Sequence, residues 1–257
     1  MSGHDGDRYS ITVHFRFYEE LNDFLPPERR KIEFVHQVTP DASIKDVIES
    51  LGVPHTEIDL ILVNGESVDF SYQVQPDDYV SVYPVFESMD ISPVTRLRPE
   101  PLRMVRFILD VHLGKLARYL RLLGFDTYYD TRYNDDEIIQ MALQQHRIIL
   151  TRDIGLLKNR IVTHGYWLRN TNPKAQIIEI LDRFDLAKKS RPFTRCLECN
   201  GQIALIDMKD DLKSHIPSGV KEIQNEFYQC ENCKRVYWQG THYSKLNKLV
   251  QEFLGAD

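Results

Sequence analysis

The sequence predicts an α/β protein assembled from three modules in series: a small strand-and-helix unit, a parallel-sheet α/β domain and a cysteine-bearing C-terminal module. Three observations predict it. Short apolar runs alternate with helical periods through the middle of the chain, all four cysteines fall in two C-x2-C pairs near its end, and the charge changes sign between front and back.

The front module is expected over residues 8–88. "YSITVHFRFY" and "KIEFVHQV" alternate apolar and polar residues, the pattern of half-buried strands. "PDASIKDVIESLG" reads as a short helix with Asp41 or Ser43 as its cap and Gly52 as its stop. "DLILVNGESV" is a strand running into an Asn-Gly turn, and "DDYVSVYPV" is the last strand, so the order is β-β-α-β-β. A linker is expected at 89–103, where "MDISPVTRLRPEPLR" has three prolines and no apolar period.

The middle module, residues 104–187, opens with "VRFILD", an apolar strand ending at Asp110. A helix follows in "KLARYLRLLG", with Leu113, Leu116, Ala117 and Leu120 at i, i+3, i+4 and i+7 and Gly124 as its stop. "FDTYYD" is a second strand, "NDDEIIQMALQQH" a helix opened by acids, and "RIILTRD" a third strand that stops at Asp153. Such alternation builds a parallel sheet, whose ligands bind beyond the carboxyl ends of the strands. Asp110 and Asp153 are placed there, and Asp135 with Asp136 begins a helix expected to start on the same side. Converging carboxylates need a counter-ion, and Mg²⁺ or Mn²⁺ is the oxygen-ligated choice that also binds phosphate and activates water. The competing roles are local: Asp135 as a helix cap and a strand-end Asp as a turn former.

Charge points to the same substrate. The net charge is −6, but residues 1–94 hold 6 Lys and Arg against 18 Asp and Glu, whereas residues 95–257 hold 26 against 20. The basic part suits a polyanion. Lys115, Arg118 and Arg121 recur every three positions on the helix after Asp110, and Arg152 adjoins Asp153, so these four are the expected phosphate contacts.

The third module, residues 193–250, has the most specific spacing. Cys196 and Cys199 form one pair and Cys230 and Cys233 the other, with thirty residues between them. Four thiolates in two knuckles suit a closed, tetrahedral, structural zinc site. Tyr237 and Trp238 follow the second knuckle as core residues or as platforms for unpaired bases, and His242 is surplus to a complete ligand set. No segment reaches 18 consecutive apolar residues, and the start "MSGHDGDRYS" has neither a signal peptide's apolar core nor an Arg-rich transit composition. A cytoplasmic protein with no membrane partner is expected.

The front module, through "LILVNGESV" and "PDDYVSVYPV", resembles the ubiquitin-like β-grasp domains of the small sulfur carriers, without their Gly-Gly tail. That resemblance implies an accessory or docking module with a protein partner. "FILDVHLGKLARYLRLLGFDTYYD", "DDEIIQMA" and "RIILTRDIGLL", followed by "RCLECN", "CENCKRVYW" and "GTHY", resemble the Mut7-C family, a PIN-like ribonuclease domain with an appended zinc ribbon, often preceded by a ubiquitin-like domain. The resemblance implies a metal-dependent, endonucleolytic ribonuclease with catalytic acids at Asp110, Asp135 and Asp153, and Asp136 or Glu137 as a fourth. PIN nucleases often carry a further acid after the third strand, and "IGLLKNR" has none. The alternative is a non-catalytic RNA-binding or docking protein on a degenerate PIN fold.

Overall fold

The computed structural model describes residues 10–84, 95–97, 105–206 and 226–255, so the expected linker lies outside the described residues except for Thr95–Leu97. Contacts divide the chain into two compact units, one of residues 1–103 with 153–167 and the other of residues 104–152 with 168–257.

The first unit is a mixed sheet with a helix against it. Its strands are β1 (Ile11–Phe17), β2 (Phe34–Val38), β3 (Ile58–Val63), β4 (Glu66–Ser67) and β5 (Tyr79–Pro84), in the order β2-β1-β5-β3-β4. β1 and β5 run parallel, and the other pairs are antiparallel. Alternation in β1 buries Ile11, Val13, Phe15 and Phe17 against Ile44, Val47 and Ile48 of α1 (Ile44–Ser50). Ser43, one of the two expected caps, accepts from the Asp46 N–H, and Gly52 ends the helix turn at φ +108°. Asn64 and Gly65 are both left-handed, which joins β3 to the short strand β4, an addition to the four expected strands, as a tight hairpin. This is the ubiquitin-like β-grasp arrangement.

The second unit opens with an α/β layer. β6 (Arg106–Leu109) leads into α2 (Gly114–Leu122), β7 (Asp126–Tyr128), α3 (Asp135–Gln145) and β8 (Ile148–Thr151), and β6 pairs in parallel with both β7 and β8. The expected stripe, Leu113, Leu116, Ala117 and Leu120, is buried, and so are Phe107, Ile108, Leu109 and Ile148–Leu150 of the strands. Gly124, at φ +90°, closes α2; a Cβ there would meet the Arg191 carbonyl oxygen at 2.2 Å.

Residues 153–167 form α4 (Ile154–Leu157) and β9 (Gly165–Trp167). By contacts they cluster with the first unit, while the strand order β7-β6-β8-β9 keeps their strand in the parallel-sheet layer of the expected middle module. The His55 ring bonds the Val162 carbonyl at 2.7 Å, Lys158 Nζ donates to the Glu49 carbonyl at 2.8 Å, and the Trp167 N–H donates to the buried Glu57 carboxylate. These three directional bonds contribute to the segment's contacts with the first unit.

α5 (Pro173–Arg183), capped by Asn172 with Pro173 in its first turn, returns the chain to the second unit and packs Ile177, Ile180 and Leu181 inward. The ribbon strands β10 (Ile203–Ile206), β11 (Phe227–Cys230) and β12 (Val236–Tyr237) are antiparallel, and α6 (Thr241–Leu254) sets the Phe253 ring against Tyr119 of α2, tilted, with centroids 4.9 Å apart.

The join between ribbon and α/β layer is polar and buried. Asp126 accepts from Arg147 at 2.7 Å and from Asn200 at 2.8 Å, while the Thr127 N–H donates to Asn200. Arg121, expected to face solvent and phosphate, is 4% exposed. It donates to the carbonyls of Thr127, Leu197 and Glu198, the last two inside the first cysteine knuckle. The expectation of a phosphate clamp is therefore corrected to a structural cation. Burial depresses its pKa, and the cysteine and Glu198 charges beside it act in the opposite direction.

Candidate functional site

The strand ends of the second unit open into a pocket of about 360 Å³ lined by Asp110, His112, Lys115, Arg152, Thr171 and Gln176, with Leu113, Leu116 and Pro173 as its apolar wall. β6 delivers Asp110 and β8 holds it. The Asp110 N–H donates to the Leu150 carbonyl, and the buried Thr151 hydroxyl donates to Asp110 Oδ2 at 2.9 Å. The other carboxylate oxygen, Oδ1, accepts only a long 3.4 Å bond from the His112 N–H, in the single turn that precedes α2.

Tyr129 fixes the start of α2. Its hydroxyl donates to the Val111 carbonyl at 2.8 Å, and a Cβ on Gly114 would lie 2.6 Å from that oxygen, so the glycine is needed for close approach. Burial, with the nearby Asp110 and Asp130 charges, pushes the Tyr129 pKa up.

Of the expected site residues, Asp110, Lys115 and Arg152 meet in this pocket. Arg152 also donates from Nη1 to the carbonyls of Leu168, Arg169 and Asn170, which ties the following loop to the pocket rim. Arg118 is exposed and pairs with Glu198 at 2.8 Å. Asp135 and Asp136 are exposed in the first turn of α3, but neither caps it: Asn134 accepts from the Glu137 N–H, and Glu137 accepts from the Asn134 N–H in return. That reciprocal pair engages Glu137 and leaves the capping role to neither aspartate. Asp153, in the first unit, accepts from the Gly155 N–H at 2.7 Å as the cap of α4.

The cysteines are brought together. Their four sulfurs lie within 4.8 Å of one another, the one such group of three or more potential ligands among the described residues. Cys196 and Cys233 are 3.6 Å apart and Cys199 and Cys230 3.4 Å, near the roughly 3.8 Å edge of a tetrahedron with ~2.3 Å zinc–sulfur bonds. Asn200 and Lys234, both left-handed, follow the two knuckles at equivalent places. Tyr237, left open between core and base stacking, bonds Cys196 Sγ through its hydroxyl at 3.0 Å. Burial alone would raise the Cys196 thiol, but Tyr237 and the backbone N–H groups of Cys199 and Glu198 outweigh it and hold the thiol at about 7.

Sequence reading passed over Thr151, Thr171, Gln176 and Tyr129. For Gln176 a signal existed, because it shares a helix face with Ile180 four positions later, where a polar residue calls for a partner.

A family model described as the Mut7-C RNAse domain matches residues 105–250, and one described as Mut7-C ubiquitin matches residues 10–90. No curated protein and no solved structure matches the chain. With more than half its length in the first match and the two domains in the expected order, the chain belongs to the Mut7-C RNAse domain family and carries the family's ubiquitin-like domain in front.

Proposed function

We propose that the protein is a divalent-metal-dependent ribonuclease that hydrolyses phosphodiesters within an RNA strand, with the Asp110 pocket as its active site. The observation that carries this reading is the meeting of Asp110 with Lys115 and Arg152 beyond parallel strand ends, in a chain with a Mut7-C RNAse domain.

The donor set suits a cation that arrives with its substrate. Mg²⁺ uses one or two carboxylates together with substrate phosphate and water, and Asp110 offers Oδ1 while Thr151 holds Oδ2. When bound, Mg²⁺ or Mn²⁺ lowers the pKa of a water molecule and offsets charge on the phosphate. Lys115 and Arg152 bind the phosphate, and Thr151 and Tyr129 hold Asp110 and the α2 start in place. Asp135, Asp136 and Asp153 enter the proposal on their sequence positions, Asp153 as the second carboxylate ligand and Arg118 as an outer contact to the RNA backbone.

The cysteine cluster is proposed to hold one structural zinc ion. A cytoplasmic location is proposed with it, because four cysteines gathered as metal ligands suit a reducing compartment. No helix among the described residues is long and apolar enough to cross a membrane. The ubiquitin-like domain is proposed as a docking surface for a protein partner. One observation favours a second reading, RNA binding without cleavage: among the described residues no three carboxylates form a ligand group.

Incubation of the full chain with linear and covalently closed circular RNA, with and without added Mn²⁺, separates the two readings. The proposal expects metal-dependent cutting of both RNAs and a loss of about 100-fold or more in Asp110→Asn. RNA binding with no metal-dependent cutting by the wild type establishes the second reading instead.

A further inference from the structure

Gln176 is 3% exposed and yet lines the pocket. Its Nε2 donates to the Asn170 carbonyl at 2.8 Å. Because that carbonyl can only accept, the amide must turn its nitrogen towards Asn170 and its oxygen away. Oε1 has no hydrogen-bond donor among the described residues. It is also not among the fully sealed atoms without a hydrogen bond, so its open side is the pocket that the residue lines.

The loop that orients this amide is rigidly held. Glu179 accepts from the backbone N–H groups of Arg169 and Asn170 and from the Asn170 side chain, and Arg152 Nη1 donates to the same Asn170 carbonyl. A fixed acceptor in a nearly buried position is matched by a ligand that brings a donor.

The surroundings select the donor. Lys115 and Arg152 are the pocket's anion contacts, and an ionised phosphodiester has no proton to give. The group bonded to that phosphate is the sugar. Its 2′-hydroxyl both donates and accepts, and Thr171, on the same lining, supplies a second hydroxyl. At about 360 Å³ the space is near the lower end of the roughly 300–1,000 Å³ of ligand pockets, room for one nucleotide unit and not for a duplex. We infer that the Gln176 carbonyl accepts a hydrogen bond from the ribose 2′-hydroxyl, which makes it the residue that selects RNA over other sugars at this site. The inference rests on the ribonuclease reading of the same pocket.

The test uses the full chain and two labelled single strands of one sequence, one all-ribose and one 2′-fluoro, which keeps the sugar's size but cannot donate. Binding is measured by fluorescence anisotropy without added divalent metal, and cleavage is followed in parallel with Mn²⁺. Wild type is expected to bind the ribose strand about 3- to 10-fold tighter. Gln176→Leu is expected to lose that preference through weaker ribose binding, with fluoro binding unchanged. Gln176→Met serves if the Leu variant does not fold. Equal binding of both strands by wild type, no binding of either, or a preference that survives in the variant overturns the inference. Preference in binding with no cleavage upholds the inference and sinks the ribonuclease reading. Cleavage of both strands with equal binding does the reverse.

Discussion

The two places where the sequence calls for a metal differ in how much of each site is assembled by the protein alone. Four sulfurs converge within 4.8 Å at the ribbon, whereas the strand-end pocket has a single carboxylate, Asp110, in its lining. In each C-x2-C knuckle one tight turn places two sulfurs together, so two local folding events and one strand pairing complete the site. The acids of the proposed catalytic set come from three separate stretches of chain, after β6, at the start of α3 and after β8, so their convergence depends on long-range packing. A closed structural site needs all its ligands from protein; a Mg²⁺ or Mn²⁺ site can take the missing ones from substrate.

Removing a ribbon ligand should have the largest effect on folding. Cys230→Ser is expected to reduce zinc from about one ion per chain to near none and to unfold the ribbon, on the scale of the ~10–16 kcal/mol that structural zinc contributes in zinc-finger peptides. Elemental analysis with thermal melting checks it. A zinc-free, equally stable variant would show that the ribbon is held by its strands alone.

Arg121→Met comes next. It would leave three carbonyls of the α/β layer and first knuckle without their donor, a loss of about 3–5 kcal/mol, with RNA affinity changed only as far as folding is. Unchanged stability with weakened RNA binding would restore the phosphate role and undo the contrast.

The same join should make the second unit acid-sensitive. Burial alone would raise the Asp126 pKa, but hydrogen bonds from Arg147 and Asn200, with the charges of Arg147 and Arg195, outweigh it and hold the carboxyl below its ordinary value. A depressed folded-state pKa gives stability that is complete above the ordinary carboxylate value of about 3.9 and is lost as pH falls through the depressed one. Urea midpoints followed from about pH 6 to about pH 2 should fall for wild type and flatten in Asp126→Asn. Parallel acid limbs in the two proteins would assign the sensitivity elsewhere.

The smallest effect on folding is expected at the pocket. Lys115→Ala should leave stability within ~0.5 kcal/mol, while the slope of log affinity against log salt for single-stranded RNA falls by about 0.7, one phosphate contact. An unchanged slope would take Lys115 out of the phosphate site.

Lys115 and Arg121 also show where sequence reading stops. Three residues of α-helix advance about 300°, so each successive member of the Lys115, Arg118, Arg121 series falls about 60° back around the axis. Lys115 thus reaches the pocket, Arg118 meets Glu198 at the surface, and Arg121 turns under the knuckle. Spacing showed the rotation, but only the ribbon's docking revealed that one end of the series is buried. Gln176 was silent for a related reason, since its meaning depends on Asn170 and on a pocket whose other walls come from distant residues such as Asp110, Lys115 and Arg152.

The sequence by itself determined the gathering of the four cysteines, the order of β1, β2, α1, β3 and β5 and of β6, α2, β7, α3 and β8, the buried stripe of α2 and the placing of Asp110 after a buried strand. Each follows from interactions within a few residues: turn geometry, side-chain period and caps. Tertiary structure alone decided that residues 153–167 pack with the first unit, that Arg121 is structural, and that Gln176 is left with an open acceptor. Those outcomes turn on desolvation and on partners tens of residues away, and a charge or amide carries the same letter in the sequence whether its partner is water, a carbonyl or a ligand.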